Sequence, residues 1–241
     1  MNDATTEPVK QSSVIEDLLE VLWAPAVVFD RTRARKAGMY LLILAVIGTV
    51  IVVSTGSLAR PFLDANADLQ MALSAKAGKP IPEAAAEVTR KITVYVYYAA
   101  PLLFIPIGGF LAALFVMWAG KTLSAPLRYG QALLIAAISS TPRIFGYLAT
   151  AVQGAVMDTS NVRSLGDSSI GPARFFDPYT MSNLLYTFLM TIDLFAVWQY
   201  ALIAIGVSVV ARVDRSTGAL VALMSWALSS ALTLIPGLLA S

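Results

Sequence analysis

Residues 39–59 read MYLLILAVIGTVIVVSTGSLA and carry no charged side chain. A segment in hydrocarbon must satisfy its own backbone hydrogen bonds, so a crossing needs about 20 mostly apolar residues in one helix. This stretch meets that requirement unaided, and residues 92–119, 131–156, 183–211 and 218–239 follow in the same character. The second of the five holds Tyr95, Tyr97 and Tyr98 at one end and Trp118 at the other, where amphipathic rings settle at headgroup level. The whole chain agrees: of 241 residues, 57% are apolar and 13% charged, against about 45–50% and about 25% in soluble domains. These numbers predict an all-α polytopic membrane protein, with a five-helix transmembrane bundle over residues 39–241 behind a tail of residues 1–38.

The composition also removes chemistries. With no His and no Cys, the chain cannot build a zinc site of the usual kind, a haem ligand, a thiol nucleophile, a Ser-His triad or a disulfide. Intramembrane aspartyl hydrolysis needs two carboxylates within spans, and Asp193 stands alone there. A Ser-Lys arrangement fails because no Lys lies within a span. Gly120-Lys121-Thr122 mimics the tail of a phosphate-binding loop, but Phe115 stands where the earlier glycine belongs. The expectation is a protein that is not an enzyme and holds no metal or cofactor. A net charge of +2, from 17 basic and 15 acidic residues, excludes a nucleic-acid surface.

Ahead of the first span, Val14, Ile15, Leu18, Leu19 and Leu22 fall on one helical face, with Glu16, Asp17 and Glu20 on the other. An amphipathic helix is expected over residues 13–24, started by a Ser13/Glu16 capping box and stopped by Pro25. The polar first twelve residues, with no small-residue cleavage pattern after the first apolar run, predict that this span is retained. Between the first two spans, Leu63, Leu69 and Leu73 suggest a short extramembrane helix ended by Gly78, with a new helix starting at Pro82. Residues 158–180, rich in Gly, Ser, Asn, Asp and Pro, are expected to be irregular. Placing the N-terminus in the cytoplasm sets Lys10, Arg31, Arg33, Arg35, Lys36, Lys121, Arg128, Arg212 and Arg215 on that side, and the Arg31–Lys36 cluster abuts the first span. The C-terminus then lies outside.

Charges inside spans are costly and face the bundle or a cavity. Two occur here, Arg143 and Asp193, and counting from the expected span ends puts them at nearly equal depth. We therefore expect an Arg143–Asp193 ion pair as the centre of an intramembrane polar cluster with Gln199. A structural pair is the plain reading, and a transport or proton-relay role is the functional one. Pro142 removes the hydrogen bond to the Ile138 carbonyl, so Ser139, Ser140, Thr141 or a neighbouring span must supply a replacement. Pro142, Pro101 and Pro106 are expected helix kinks.

Three segments taken together resemble a known family. They are Leu22-Trp23-Ala24-Pro25-Ala26-Val27-Val28-Phe29, then Tyr129-Gly130-Gln131-Ala132 followed by Pro142, and Asp193-Leu194-Phe195-Ala196-Val197-Trp198-Gln199-Tyr200-Ala201-Leu202 leading to Ile205-Gly206. Across roughly residues 18–235 the chain resembles the Yip family, named for Ypt-interacting proteins. The resemblance implies five spans, a cytoplasmic N-terminus, and a structural part for Pro25 and Phe29 where the chain approaches the first span. Eukaryotic members are implicated in Rab-type GTPase binding and vesicle traffic. The short tail here is more similar to the prokaryotic branch, whose members sometimes accompany export systems. The implied role is a non-enzymatic accessory or scaffold in transport, export or envelope organisation, in a bacterial inner membrane. Its implied partners are membrane lipids and a membrane protein, an export complex among the candidates. The alternative is a small transporter or lipid-handling protein working around Arg143 and Asp193.

Overall fold

Ser13 Oγ accepts from Glu16 N at 3.1 Å while Glu16 Oε2 accepts from Ser13 N at 2.6 Å, and this reciprocal cap opens α1, Val14–Glu20. The computed structural model describes residues 12–239, so the first eleven residues of the expected tail and the last two of the chain lie outside the described residues. Pro25 does not stop α1, which ends at Glu20. It is the first residue of α2, Pro25–Thr32, where its missing N–H costs nothing. Sequence periodicity missed α2 because the chain turns between the two short helices.

The expected extramembrane helix near Leu63 is not separate. It continues the first span as one helix, α3, Gly38–Lys76, with Pro61 inside it. At about 1.5 Å per residue α3 is about 58 Å long, nearly twice a hydrocarbon core of about 30 Å. Gly78 then takes a φ of +73°, the left-handed position after the helix that a side chain would strain. Pro82 caps α4, Glu83–Thr122, which runs back unbroken through Pro101 and Pro106. The protruding parts of α3 and α4 are joined by Arg90 and Asp68, 2.7 Å apart.

The third expected span is two helices, α5, Tyr129–Ser139, and α6, Thr141–Val156, divided at Ser140. The fourth is also divided, into α7, Asn183–Met190, and α8, Leu194–Ala211. α9, Arg215–Leu239, follows a tight turn. Between α6 and α7 lie three single 3-10 turns at Thr159–Asn161, Leu165–Ser168 and Pro172–Phe175. No strand occurs among the described residues. Five segments are long and apolar enough to cross a membrane: α3, α4, the α5–α6 pair, α8 and α9. With α1 and α2 defining a near side, α3 ends on the far side, and the turns and α7 pack there against it. Leu69 of α3, Ala173 and Tyr186 form a far-side core.

α5 is apolar all round and occupies the middle of the main core, with Leu134, Ile135, Ala136, Ala137 and Ile138 fully buried. Glycines set how closely the others approach. A Cβ at Gly48 of α3 would stand 2.8 Å from Pro101 Cβ of α4, and one at Gly154 of α6 would overlap the Leu58 carbonyl oxygen of α3. Backbone therefore meets backbone where α6 crosses α3.

Candidate functional site

The break between α5 and α6 follows from the local sequence. Pro142 has no N–H to give Ile138, and Thr141 Oγ1 donates to that carbonyl at 2.7 Å instead. Ser140 Oγ caps the Ala136 carbonyl at 2.7 Å. Both hydroxyls lie within the buried Ser139–Thr141 stretch, so the polarity there serves the backbone first. Restarting the helix at Thr141 turns Arg143 toward α8, where its Nε donates to Gln199 Oε1 at 2.6 Å. Gln199 is buried, and its Nε2 reaches Ser140 Oγ at 3.5 Å. Two residues after Arg143, Phe145 stacks on Trp198, the neighbour of Gln199, with ring centroids 6.1 Å apart, and fixes the same helix pair.

Asp193 has a different role from the one expected. It forms no ion pair with Arg143, and no described acidic residue does. Its Oδ1 accepts from Ala196 N at 2.7 Å as the N-cap of α8. The helical count placed it mid-span because the apolar run 183–211 looks continuous, whereas helix stops at Met190 and restarts at Leu194. α8 is about 27 Å long, close to the hydrocarbon thickness, which puts Asp193 at the far-side boundary rather than near mid-depth. Gln199 and Arg143 lie about 9 Å deeper.

Arg143 and Asp193 nevertheless line one cavity of about 260 Å³, with Tyr97, Tyr147, Thr150 and Ser169 among its walls. The Tyr97 ring meets Tyr147 edge-on at 6.2 Å. The cavity's roof is pinned to α6, since Gln153 Nε2 donates to the Ser168 carbonyl and Thr150 Oγ1 lies 3.2 Å from Ser168 Oγ. A second cleft of about 340 Å³ leaves Arg143 and Gln199 and passes Phe104, Ile105, Phe115 and Leu232 between α4 and α9. Arg143 and Tyr147 therefore form a shared wall between a polar cavity and a cleft lined mostly by apolar residues. Pro101 and Pro106 lie inside α4, and Pro101 packs on Gly48 as described.

A second polar cluster, on the near side, was not anticipated. Asp17 is fully buried, and its carboxylate gathers five donors. Oδ1 accepts from Arg31 Nε at 2.8 Å, Arg31 Nη2 at 2.6 Å and Ser12 Oγ at 2.8 Å. Oδ2 accepts from Arg35 Nη1 and the Tyr40 hydroxyl, each at 2.5 Å. Arg31 also meets Glu20 at 2.5 Å. Burial opposes the Arg31 charge, but the bonds to Asp17 and Glu20 outweigh it and raise the guanidinium pKa. Arg33 adds a bond to the Val209 carbonyl at 2.8 Å, a cation at the C-terminal end of α8. The signal was present in the sequence: Asp17 shares a helical face with Val14, Leu18 and Val21, an apolar stripe in which a carboxylate must find partners.

Pro25 and Phe29 are placed by α2 as a wedge into the bundle. Phe29 is fully buried, and a Cβ at Gly206 of α8 would come within 3.0 Å of its ring and 2.9 Å of Ile135.

Five membrane-crossing segments with α5 at their centre, and a short helical hairpin locked to one end, define a polytopic α-helical integral membrane protein. The Yip1 domain profile matches residues 19–235, nearly the whole of this bundle and its hairpin. The chain belongs to the Yip1 domain family. No curated protein and no solved structure matches it.

Proposed function

We propose that the protein is a non-enzymatic accessory or scaffold of a bacterial inner membrane, of the prokaryotic branch of its family, with its N-terminus in the cytoplasm. It engages a membrane-protein partner in transport, export or envelope organisation. The observation that carries this reading is the α1–α2 hairpin. Asp17 clamps the hairpin to α3, while Ile15, Leu19, Trp23 and Val27 face outward, with exposures of 55%, 53%, 70% and 54%. Ile15 and Leu19, one turn apart, share a face of α1, and past the turn Trp23 and Val27 line a groove of about 460 Å³ with Pro25 of the hairpin and Ile205 and Val209 of α8. A pre-ordered apolar surface loses little entropy on binding, and aromatic anchors such as Trp23 dominate contact energies. The basic Arg31–Lys36 cluster at the near-side end of α3 supports the cytoplasmic placement.

The test is cross-linking in native membranes followed by purification through a C-terminal tag. The native chain is expected to bring down a partner in stoichiometric amount, and a Trp23→Ser, Leu19→Ser variant with unchanged bundle stability is expected to lose it. Equal recovery from both, or a chain that purifies alone, sinks the proposal. Orientation is read separately from single cysteines placed at Ser216 and Ser74, since the natural chain has no competing thiol. The lipid-handling alternative is favoured by a separate observation, the cavity and cleft beside Arg143.

A further inference from the structure

We propose that the far-side cavity and the α4–α9 cleft together hold one zwitterionic, amine-bearing phospholipid, its phosphate on Arg143, its ammonium on Asp193 and one acyl chain along the cleft. This goes beyond partner binding and stands on residues at the opposite end of the bundle from the hairpin.

Four observations support the assignment. First, Arg143 is exposed to these spaces and meets no carboxylate among the described residues, although a cation at this depth is stable only with an anionic partner or access to polar surroundings. A phosphate supplies that partner, and guanidinium binds phosphate through paired N–H donors. Second, the same cavity holds one opposite charge. Asp193 spends Oδ1 on its helix cap and leaves Oδ2 with no hydrogen-bond partner among the described residues, so the cavity offers one cation site and one anion site. A lipid bearing only negative charge would meet that carboxylate, and one bearing both signs matches it. Third, the Tyr97 hydroxyl and Ser169 Oγ at the cavity wall are buried and unpaired in the described structure, two polar atoms that a headgroup ester or glycerol oxygen would satisfy. Fourth, depth agrees. Asp193 lies at the far-side boundary, the Arg143 guanidinium lies within two turns of it beside Gln199, and the cleft beyond has Phe104, Ile105, Phe115 and Leu232 in its walls.

The experiment places the full chain in nanodiscs of equal parts phosphatidylethanolamine and phosphatidylglycerol, then counts retained lipid by native mass spectrometry. One phosphatidylethanolamine is expected on the native chain, favoured about tenfold over phosphatidylglycerol. R143Q is expected to lose the retained lipid. D193N is expected to keep one phospholipid and lose the preference. Because R143Q also removes the bond to Gln199, a second measurement uses the native chain alone: soluble phosphoethanolamine is expected to compete the lipid away, and inorganic phosphate to do so far less. Equal retention of the two lipids, retention unchanged in R143Q, or displacement by inorganic phosphate as effective as by phosphoethanolamine overturns the proposal. The last of these would identify a soluble-anion site instead. Failure here leaves the hairpin's partner binding untouched, since the tagged-chain recovery reads the other end of the molecule.

Discussion

Replacing Asp17 with Asn keeps the side chain's shape and removes its charge, which isolates what the buried carboxylate contributes. Five donors point at it, four of them guanidinium N–H groups or a phenol. Removing one partner of a buried ion pair costs about 3–5 kcal/mol. Arg31 and Arg35 keep 29% and 26% exposure, so part of their hydration returns and the lower end applies. About 3 kcal/mol corresponds to about two decades in an opening equilibrium. The energy is local, because the hairpin can leave while α5 and its shell stay packed. Amide exchange of the chain in detergent micelles, read by mass spectrometry, is therefore expected to accelerate about 100-fold across α1 and α2 in D17N. Exchange in α5 should be unchanged. If hairpin exchange rises by less than about threefold, Asp17 does not hold the hairpin and the clamp is wrong.

Other perturbations read other parts of the bundle. Gly154→Ala drives a methyl into the Leu58 carbonyl, so a helix must move, and a loss of about 3 kcal/mol is expected in a detergent melt. Gly108→Ala, with open space around it, should be neutral or slightly stabilising in the same melt. Thr141→Val strands the Ile138 carbonyl and should cost about 1–2 kcal/mol, while Thr141→Ser retains the bond and most of the stability. Asp214 accepts from the Ser216 hydroxyl, Thr217 N and the Thr217 hydroxyl, which hold its carboxyl down at about 2. Its folded value lies below the ordinary 3.8, so its contribution to the start of α9 is present above about pH 4 and is lost as pH falls toward 2. Carboxyl NMR should show Asp214 still ionised at pH 3, and a midpoint near the ordinary value would contradict the cap.

The five spans were legible because hydrocarbon imposes a length, and residues 39–59 meet it with no help from tertiary contacts. What exceeded the length rule was hidden by it. Pro61 reads as a boundary, yet α3 passes through it and carries Leu63 and Leu69 into far-side contacts. The division of residues 183–211 escaped hydropathy because Thr191 and Ile192 are apolar enough to continue a span. Asp193 itself was the sign, since a carboxylate opposite a helix's first amides is a start signal as readily as a buried charge. The polar centre was half legible: Arg143 does meet Gln199, from the family-like segment of α8, but its expected salt partner caps a helix instead. Asp17 was misread because a three-residue acidic face looks solvated until the apolar stripe through Val14, Leu18 and Val21 is traced across it.

The continuous α3 and α4 helices also have a mechanical meaning. Each is about 60 Å long, with roughly half of it outside the hydrocarbon, and each runs as one continuous helix with Pro61 inside α3 and Pro101 and Pro106 inside α4. Joined by Arg90 and Asp68, the pair projects as one two-helix arm beyond the bundle. A tilt of about 10° about its near-side end sweeps its tip through about 10 Å. By that geometry alone, a tilt too small to repack the bundle becomes a displacement of several ångströms at the far-side tip.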